Sequence, residues 1–208
     1  MMGDEIHKLL NESASFRKDC GFCKESRLEV KEVTNYGATI VYKIGNSAKN
    51  GWFAALSPKT GGDPKKDFTI QLMPLGHLTH FSQISPYAEL AKNYGTAFSK
   101  ISEAVSKVIA ENDGLKADSD SKNLGISIAA YGKCTTWKEK KEHLHIKIFP
   151  FRGNIGQPYT VDSSFLRKKI QKDPKTGKEF VKMEPVRKIM IDKKRFKQIS
   201  NRLIYLLR

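Results

Sequence analysis

Long hydrophobic runs are missing from this chain. No apolar stretch approaches the roughly 18 residues of a membrane span, and the first residues show no signal-peptide pattern. A cytoplasmic protein without a membrane partner is therefore expected. Cysteine is scarce. Three residues, an odd number, fit a reducing compartment better than a disulfide framework. Internal repeats and low-complexity blocks are lacking as well. Acidic residues are outnumbered, 22 against 37 Lys and Arg, which leaves a formal net charge of +15.

Apolar residues make up 39% of the 208, and 11 Phe, 7 Tyr and 2 Trp are among them. That is enough for a real core and excludes global disorder. The length admits one good-sized domain plus an extension, or two small ones. Charge divides the chain unevenly. Residues 151–208 hold 16 basic against 5 acidic residues, a net +11, whereas the first 150 carry only +4. Such asymmetry points to a polyanionic partner such as nucleic acid for the tail, or to a solvated basic face.

Hydrophobic patterning gives an α+β order. A short amphipathic helix is expected over 4–12. Strands are expected at Arg27–Val33, Ala38–Ile44, Trp52–Leu56 and Phe68–Met73 from their β-branched and aromatic content. Ser85 and Pro86 suit the N-cap and first turn of a long helix reaching about Asn112, and Gly114 is placed to stop it. Strands follow at Gly125–Tyr131 and His143–Phe149, joined by the Lys-rich Lys133–Glu142. After Pro150 the expected order is Phe165–Gln171, Glu179–Ile191 and a closing helix over Lys193–Leu207.

The chemistry concentrates in His143-Leu-His145-Ile-Lys147-Ile-Phe149. Alternate strand residues point to opposite faces, so Leu144, Ile146 and Ile148 face a core while His143, His145 and Lys147 share the other side. Each step along that row is roughly 7 Å, from a rise of about 3.3 Å per residue. An imidazole serves as nucleophile, proton shuttle or metal ligand, and a neighbouring cation holds an oxyanion. A nucleophilic His145 needs its second ring nitrogen held by an acceptor that the sequence does not reveal. Cys20 and Cys23 form one CxxC, which supplies two thiolates to a zinc site from a single bend or else packs as ordinary thiols. His77, His80, His143 and Cys134 are the candidates to complete such a site. Lys133, Lys138, Lys140 and Lys141 could add phosphate contacts. Trp52 and Phe53 offer either a flat slot for a base or core packing.

Four of these segments, in this order, resemble the histidine triad (HIT) superfamily, and in particular its galactose-1-phosphate uridylyltransferase branch. They are Cys20-Gly-Phe-Cys23, Asn50-Gly-Trp-Phe-Ala-Ala-Leu-Ser-Pro58, Met73-Pro-Leu-Gly-His77 and the histidine strand. Lys147 stands where the last His of the triad, or the Gln of that branch, would be. The resemblance spans roughly residues 15–152. It implies a HIT-like nucleotide-binding domain over 1–152, an antiparallel sheet with flanking helices, followed by a basic C-terminal extension over 153–208. It also implies a nucleotide substrate, cleavage at an α-phosphate through a covalent nucleotidyl-His145, and a homodimer as a candidate assembly. Carried over, the structural zinc ligands are Cys20, Cys23, His77 and His143. Asn50, with Trp52 and Phe53, falls near the ribose or base, Lys140 takes the place of a phosphate-binding Ser, and Ala55 replaces a ribose-binding Asp of the small HIT hydrolases.

Overall fold

The computed structural model describes residues 14–114, 124–131, 143–152, 167–184 and 188–208. The helix expected over 4–12 lies outside them. A five-stranded antiparallel sheet organises the chain, in the order β1-β2-β4-β6-β5. Its strands are β1 (Thr39–Ile44), β2 (Trp52–Ser57), β4 (Thr69–Pro74), β5 (Leu124–Tyr131) and β6 (His145–Arg152). The short β3 (Lys59–Thr60) leaves this sheet to pair elsewhere. The fold is α+β, as the patterning indicates.

Helices cover one face of the sheet. Trp52, Ala54, Leu56, Ile70, Leu72, Ile146 and Ile148 alternate onto it and meet the apolar stripe of α2 (Ala88–Asp113), which includes Leu90, Ala97, Ile101, Val105 and Val108. On β1 the register slips between Ile40 and Tyr42, so Val41 and Tyr42 both join this side. The other face carries Ile40, Phe53, Ala55 and Met73, packed against Cys20, Phe22 and Cys23. Those three come from Cys20 and the single-turn helix α1 (Gly21–Glu25). His143, His145 and Lys147 belong to this second face.

Two local expectations fail. Arg27–Val33 is a chain of turns rather than a strand, with one bridge from Val33 to Thr39. Lys31 adopts φ 84°, a left-handed conformation that no regular strand accommodates. Ser85 does not cap the long helix but closes a 3₁₀ turn over Phe81–Ile84, and α2 starts at Ala88. Gln83 explains the difference: its Oε1 accepts from the backbone N–H of Thr79 and His80, at 2.7 and 2.9 Å. Gly114 does end α2, in the left-handed conformation at φ 65°.

The C-terminal extension splits in two. β7 (Arg167–Lys172) and β8 (Glu179–Glu184) form a two-stranded hairpin around the turn at Asp173–Gly177. Of the strand expected over Glu179–Ile191, the described residues show β8 to Glu184, no strand at Lys188, and a separate β9 (Ile189–Met190) that pairs with β3. The last helix, α3 (Lys193–Leu206), then places Ile199, Leu203, Ile204 and the following Leu207 in the same core as the sheet. Asp192 caps α3 by accepting from the N–H of Lys194 and Arg195. Arg195 donates to the carbonyls of Pro64 and Lys66, and Arg202 forms a two-pronged ion pair with Glu111 at the end of α2. The last helix thus shares one core with the sheet. None of the described helices is long and apolar enough to cross a membrane.

Candidate metal centre and histidine strand

Three segments converge behind β6. Cys20 sits in extended backbone and caps α1, so that its side chain and that of Cys23 emerge from one tight bend. Ser26 Oγ donates to the Cys23 carbonyl at 2.9 Å and closes that turn. His77 follows the end of β4, held by its N–H to Ser15 O at 2.6 Å. Gly76 before it passes so near the chain that a Cβ there would lie 2.7 Å from the Ala48 Cβ. His143 leads into β6, and the next residue, Leu144, bonds through its N–H to Leu78 O at 2.6 Å, which stitches the two histidine segments together.

The four side chains are buried and their ligand atoms all lie within 4.8 Å of one another. Cys20 Sγ is 3.4 Å and Cys23 Sγ 3.6 Å from His143 Nδ1, and Cys23 Sγ is 3.9 Å from His77 Nδ1. Donors about 2.2 Å from a tetrahedral ion stand roughly 3.6 Å apart, so these spacings fit a metal of that size. His143 Nε2–H donates to the Pro74 carbonyl at 3.1 Å, which turns the Nδ1 lone pair toward the cysteines. The Cys20 thiol is pulled far below the ordinary range, first by its hydrogen bond with Cys23 and then by His143 and His77, against the opposing effect of burial. Cys23 is pushed up by that same bond and by burial. One negative charge is easily held here and a second is not, the electrostatic setting that a divalent cation relieves. His80 is not part of the cluster; its Nδ1 lies 2.9 Å from Thr79 Oγ1.

His145 is the next residue on the same face. Its Nδ1–H donates to the carbonyl of His143 at 2.9 Å, which supplies the acceptor the sequence left open and puts the lone pair on Nε2. The ring is 6% exposed and leans on Phe22, centroid to centroid 5.4 Å. Lys147 follows, half-buried, opposite Gln71 of β4.

The other candidate residues do not gather here. Trp52 is fully buried on the helix side of the sheet, its Nε1–H donating to Leu90 O at 2.8 Å, so it takes no part in a pocket on the histidine side. Phe53 does face the cysteines but is fully buried among Cys20, Ala55 and Met73, and presents no open ring. Asn50 shapes a turn: its Oδ1 accepts from the N–H of Asn46 and Ser47, and its Nδ2 donates to Asn46 Oδ1. Lys140, with Lys133, Cys134, Lys138 and Lys141, lies outside the described residues.

Sequence reasoning missed two recesses. One, of about 500 Å³, opens beside the metal cluster and is lined by Phe16, Ser26, Arg27, Asn46 and Leu75 among others. Arg27 holds its guanidinium 5.8 Å from the Phe16 ring centroid there. The flanks of the CxxC were the only available signal. The second recess lies beside Lys147 and joins residues remote in sequence. No protein-family model, curated protein or solved structure matches the chain.

Proposed function

We propose that the protein is a HIT-type nucleotidyl hydrolase or nucleotidyltransferase that works through a covalent nucleotidyl-histidine on His145. The observation that carries this reading is the Nδ1–H bond from His145 to the His143 carbonyl. It fixes the tautomer in which Nε2 bears the lone pair needed for attack at phosphorus. Nε2 forms the new bond to the α-phosphorus while the bond to the leaving oxygen breaks and its electron pair departs with that oxygen. In the second half, water or another oxygen nucleophile displaces the imidazole, which recovers its lone pair. Lys147 on the same face stabilises charge on the phosphoryl oxygens, a role for which a permanent cation suits better than proton donation.

Zinc is the metal that the Cys20, Cys23, His77 and His143 set suits, since two thiolates and two imidazoles in a closed tetrahedron make a structural site. Bound there, it would contribute fold stability. The chain's own residues do the rest. His143 spans both tasks, with its ring toward the cysteines and its carbonyl toward His145.

The test is trapping. Full-length protein is mixed with each α-³²P-labelled nucleoside triphosphate in turn and quenched in alkali, where phosphoramidate bonds survive. Label is expected on the wild type with at least one nucleotide and absent in His145→Ala. Equal labelling of the two proteins, or none with any nucleotide, rejects the covalent route.

A second reading has its own observation, the net +11 over residues 151–208. A nucleic-acid-binding protein on a HIT scaffold, with weak or lost catalysis, would bind RNA or DNA with a steep salt dependence. Oligonucleotide binding by a His145→Ala variant at wild-type strength, with no labelling of the wild type, would favour it.

A further inference from the structure

The recess of about 500 Å³ beside the candidate metal cluster has a fixed frame. Ser26 and Leu75, each 4% exposed, are its buried lining. Ser26 Oγ is tied to the Cys23 carbonyl, and Leu75 donates its N–H to Gly51 O at 2.8 Å. The turn after β1 adds a backbone wall. Gly45 has φ 73° there, and a Cβ would stand 2.6 Å from Asn50 O, so only glycine lets the turn close. Asn50 also orients Asn46: its Nδ2 donates to Asn46 Oδ1 at 3.1 Å. The Asn46 Nδ2 is left with no acceptor among the described residues.

Three charged residues line the recess, Arg27, Glu29 and Lys43. Lys43 Nζ donates to Glu29 Oε1 at 3.0 Å and to Leu28 O at 2.9 Å, so those two charges cancel. The Arg27 guanidinium has neither a carboxylate nor a hydrogen-bond acceptor among the described residues, and it carries the remaining positive charge. It lies 5.8 Å from the ring centroid of Phe16, which is 44% exposed. A guanidinium is a planar fork of donors that fits a carboxylate or phosphate by two parallel bonds. An open aromatic ring favours a second ring laid against it. Size agrees with such a partner, because small-molecule sites span roughly 300–1,000 Å³ and a lone ion needs far less.

We infer that this recess binds a small planar anion, an aromatic ring bearing one carboxylate or phosphate. The head group meets Arg27 and the Asn46 amide, and the ring rests on Phe16 and Leu75. A single uncompensated cation sets the charge of the ligand, and the apolar pair beside it sets the ring. No residue of β6 lines the recess, so the site is separate from His145 and Lys147. It does not depend on the nucleotidyl-transfer reading.

The experiment is calorimetric titration of full-length protein with 3-phenylpropionate and with phenyl phosphate, beside 3-phenylpropionamide as the neutral counterpart of the first. Saturable binding is expected for at least one anion, at least tenfold tighter than for the amide. Which anion binds tells a carboxylate head from a phosphate head. Arg27→Gln and Phe16→Ala alter exposed side chains. Each should melt within a few degrees of wild type and weaken the bound anion at least tenfold, whereas His145→Ala should bind it as wild type does. The site is overturned if neither anion saturates, if the amide binds as tightly, or if Arg27→Gln keeps full affinity. Loss of binding in His145→Ala would move the anion to the histidine strand and overturn it as well. Failure of covalent labelling on His145 does not touch these outcomes, so the two ideas fail separately.

Discussion

The carbonyl of His143 accepts the Nδ1 proton of His145 at 2.9 Å, while the ring of His143 stands 3.4 Å from Cys20 Sγ. One residue thus belongs to the candidate metal cluster through its side chain and sets its neighbour's tautomer through its backbone. The backbone position that carries the His143 ring to the cysteines also places the carbonyl to which His145 is bonded.

Metal content is the first consequence. Elemental analysis of purified wild type should find about one zinc per chain, and Cys20→Ala or His77→Ala should hold far less. Since a closed structural site contributes directly to folding, its removal by a chelator should lower Tm by roughly 10 °C or more, equivalent to several kcal/mol in a chain of this size. Wild type without bound metal and with an unshifted Tm on chelation would dismiss the site.

His145→Ala separates chemistry from scaffold. This variant should retain zinc and melt within a few degrees of wild type, because the metal set does not include it. Its turnover of any nucleotide substrate should fall by about three orders of magnitude or more, as expected when a covalent nucleophile is removed. Activity within tenfold of wild type would exclude a nucleotidyl-histidine.

Helix α3 should prove indispensable to the domain. Leu203 is fully buried against the sheet core, and Leu203→Ala should cost about 2–5 kcal/mol in chemical denaturation. A chain cut at residue 152 should fail to give a cooperative transition, because Ile199, Leu203, Ile204 and Leu207 no longer cover their neighbours. A sharp transition at wild-type Tm in the shortened chain would show that the helix is dispensable.

The Glu111–Arg202 pair predicts a modest acid sensitivity. The Arg202 guanidinium holds the Glu111 carboxyl below the usual carboxylate range. A depressed folded-state pKa means that the pair's contribution is complete above the unfolded value, near 4.3, and disappears as pH falls through the folded one. Both side chains are more than a third exposed, so solvent screening keeps the effect small. Arg202→Gln should therefore lose a little stability at pH 7 and show a flatter decline as pH falls below the unfolded carboxylate value. An identical pH profile in the variant would mean that solvent already cancels the pair.

Much of this architecture can be read from the chain. The alternation of β6 and the three-and-four spacing in α2 each place an apolar face, and burial follows those faces closely. The candidate metal cluster of Cys20, Cys23, His77 and His143 is legible because its residue types are few and chemically matched. What stays hidden depends on tertiary contact. A left-handed Lys31 cancels a β-rich segment, Gln83 competes for the backbone ahead of α2, and Trp52 looks equally suited to a slot or a core until the face it occupies is known. The joining of Lys188 to Lys147 has no local signal, since a two-residue pairing of β3 with β9 brings them together.

That pairing, with the helix behind it, has a bearing on how the protein is made. The α3 residues that complete the helical side of the sheet, Ile199, Leu203 and Ile204, are synthesised after every strand of it. A ribosome-bound chain halted near position 190 would expose greasy β1 and α2 surface to its surroundings, so the nascent protein should lean on chaperones until α3 emerges.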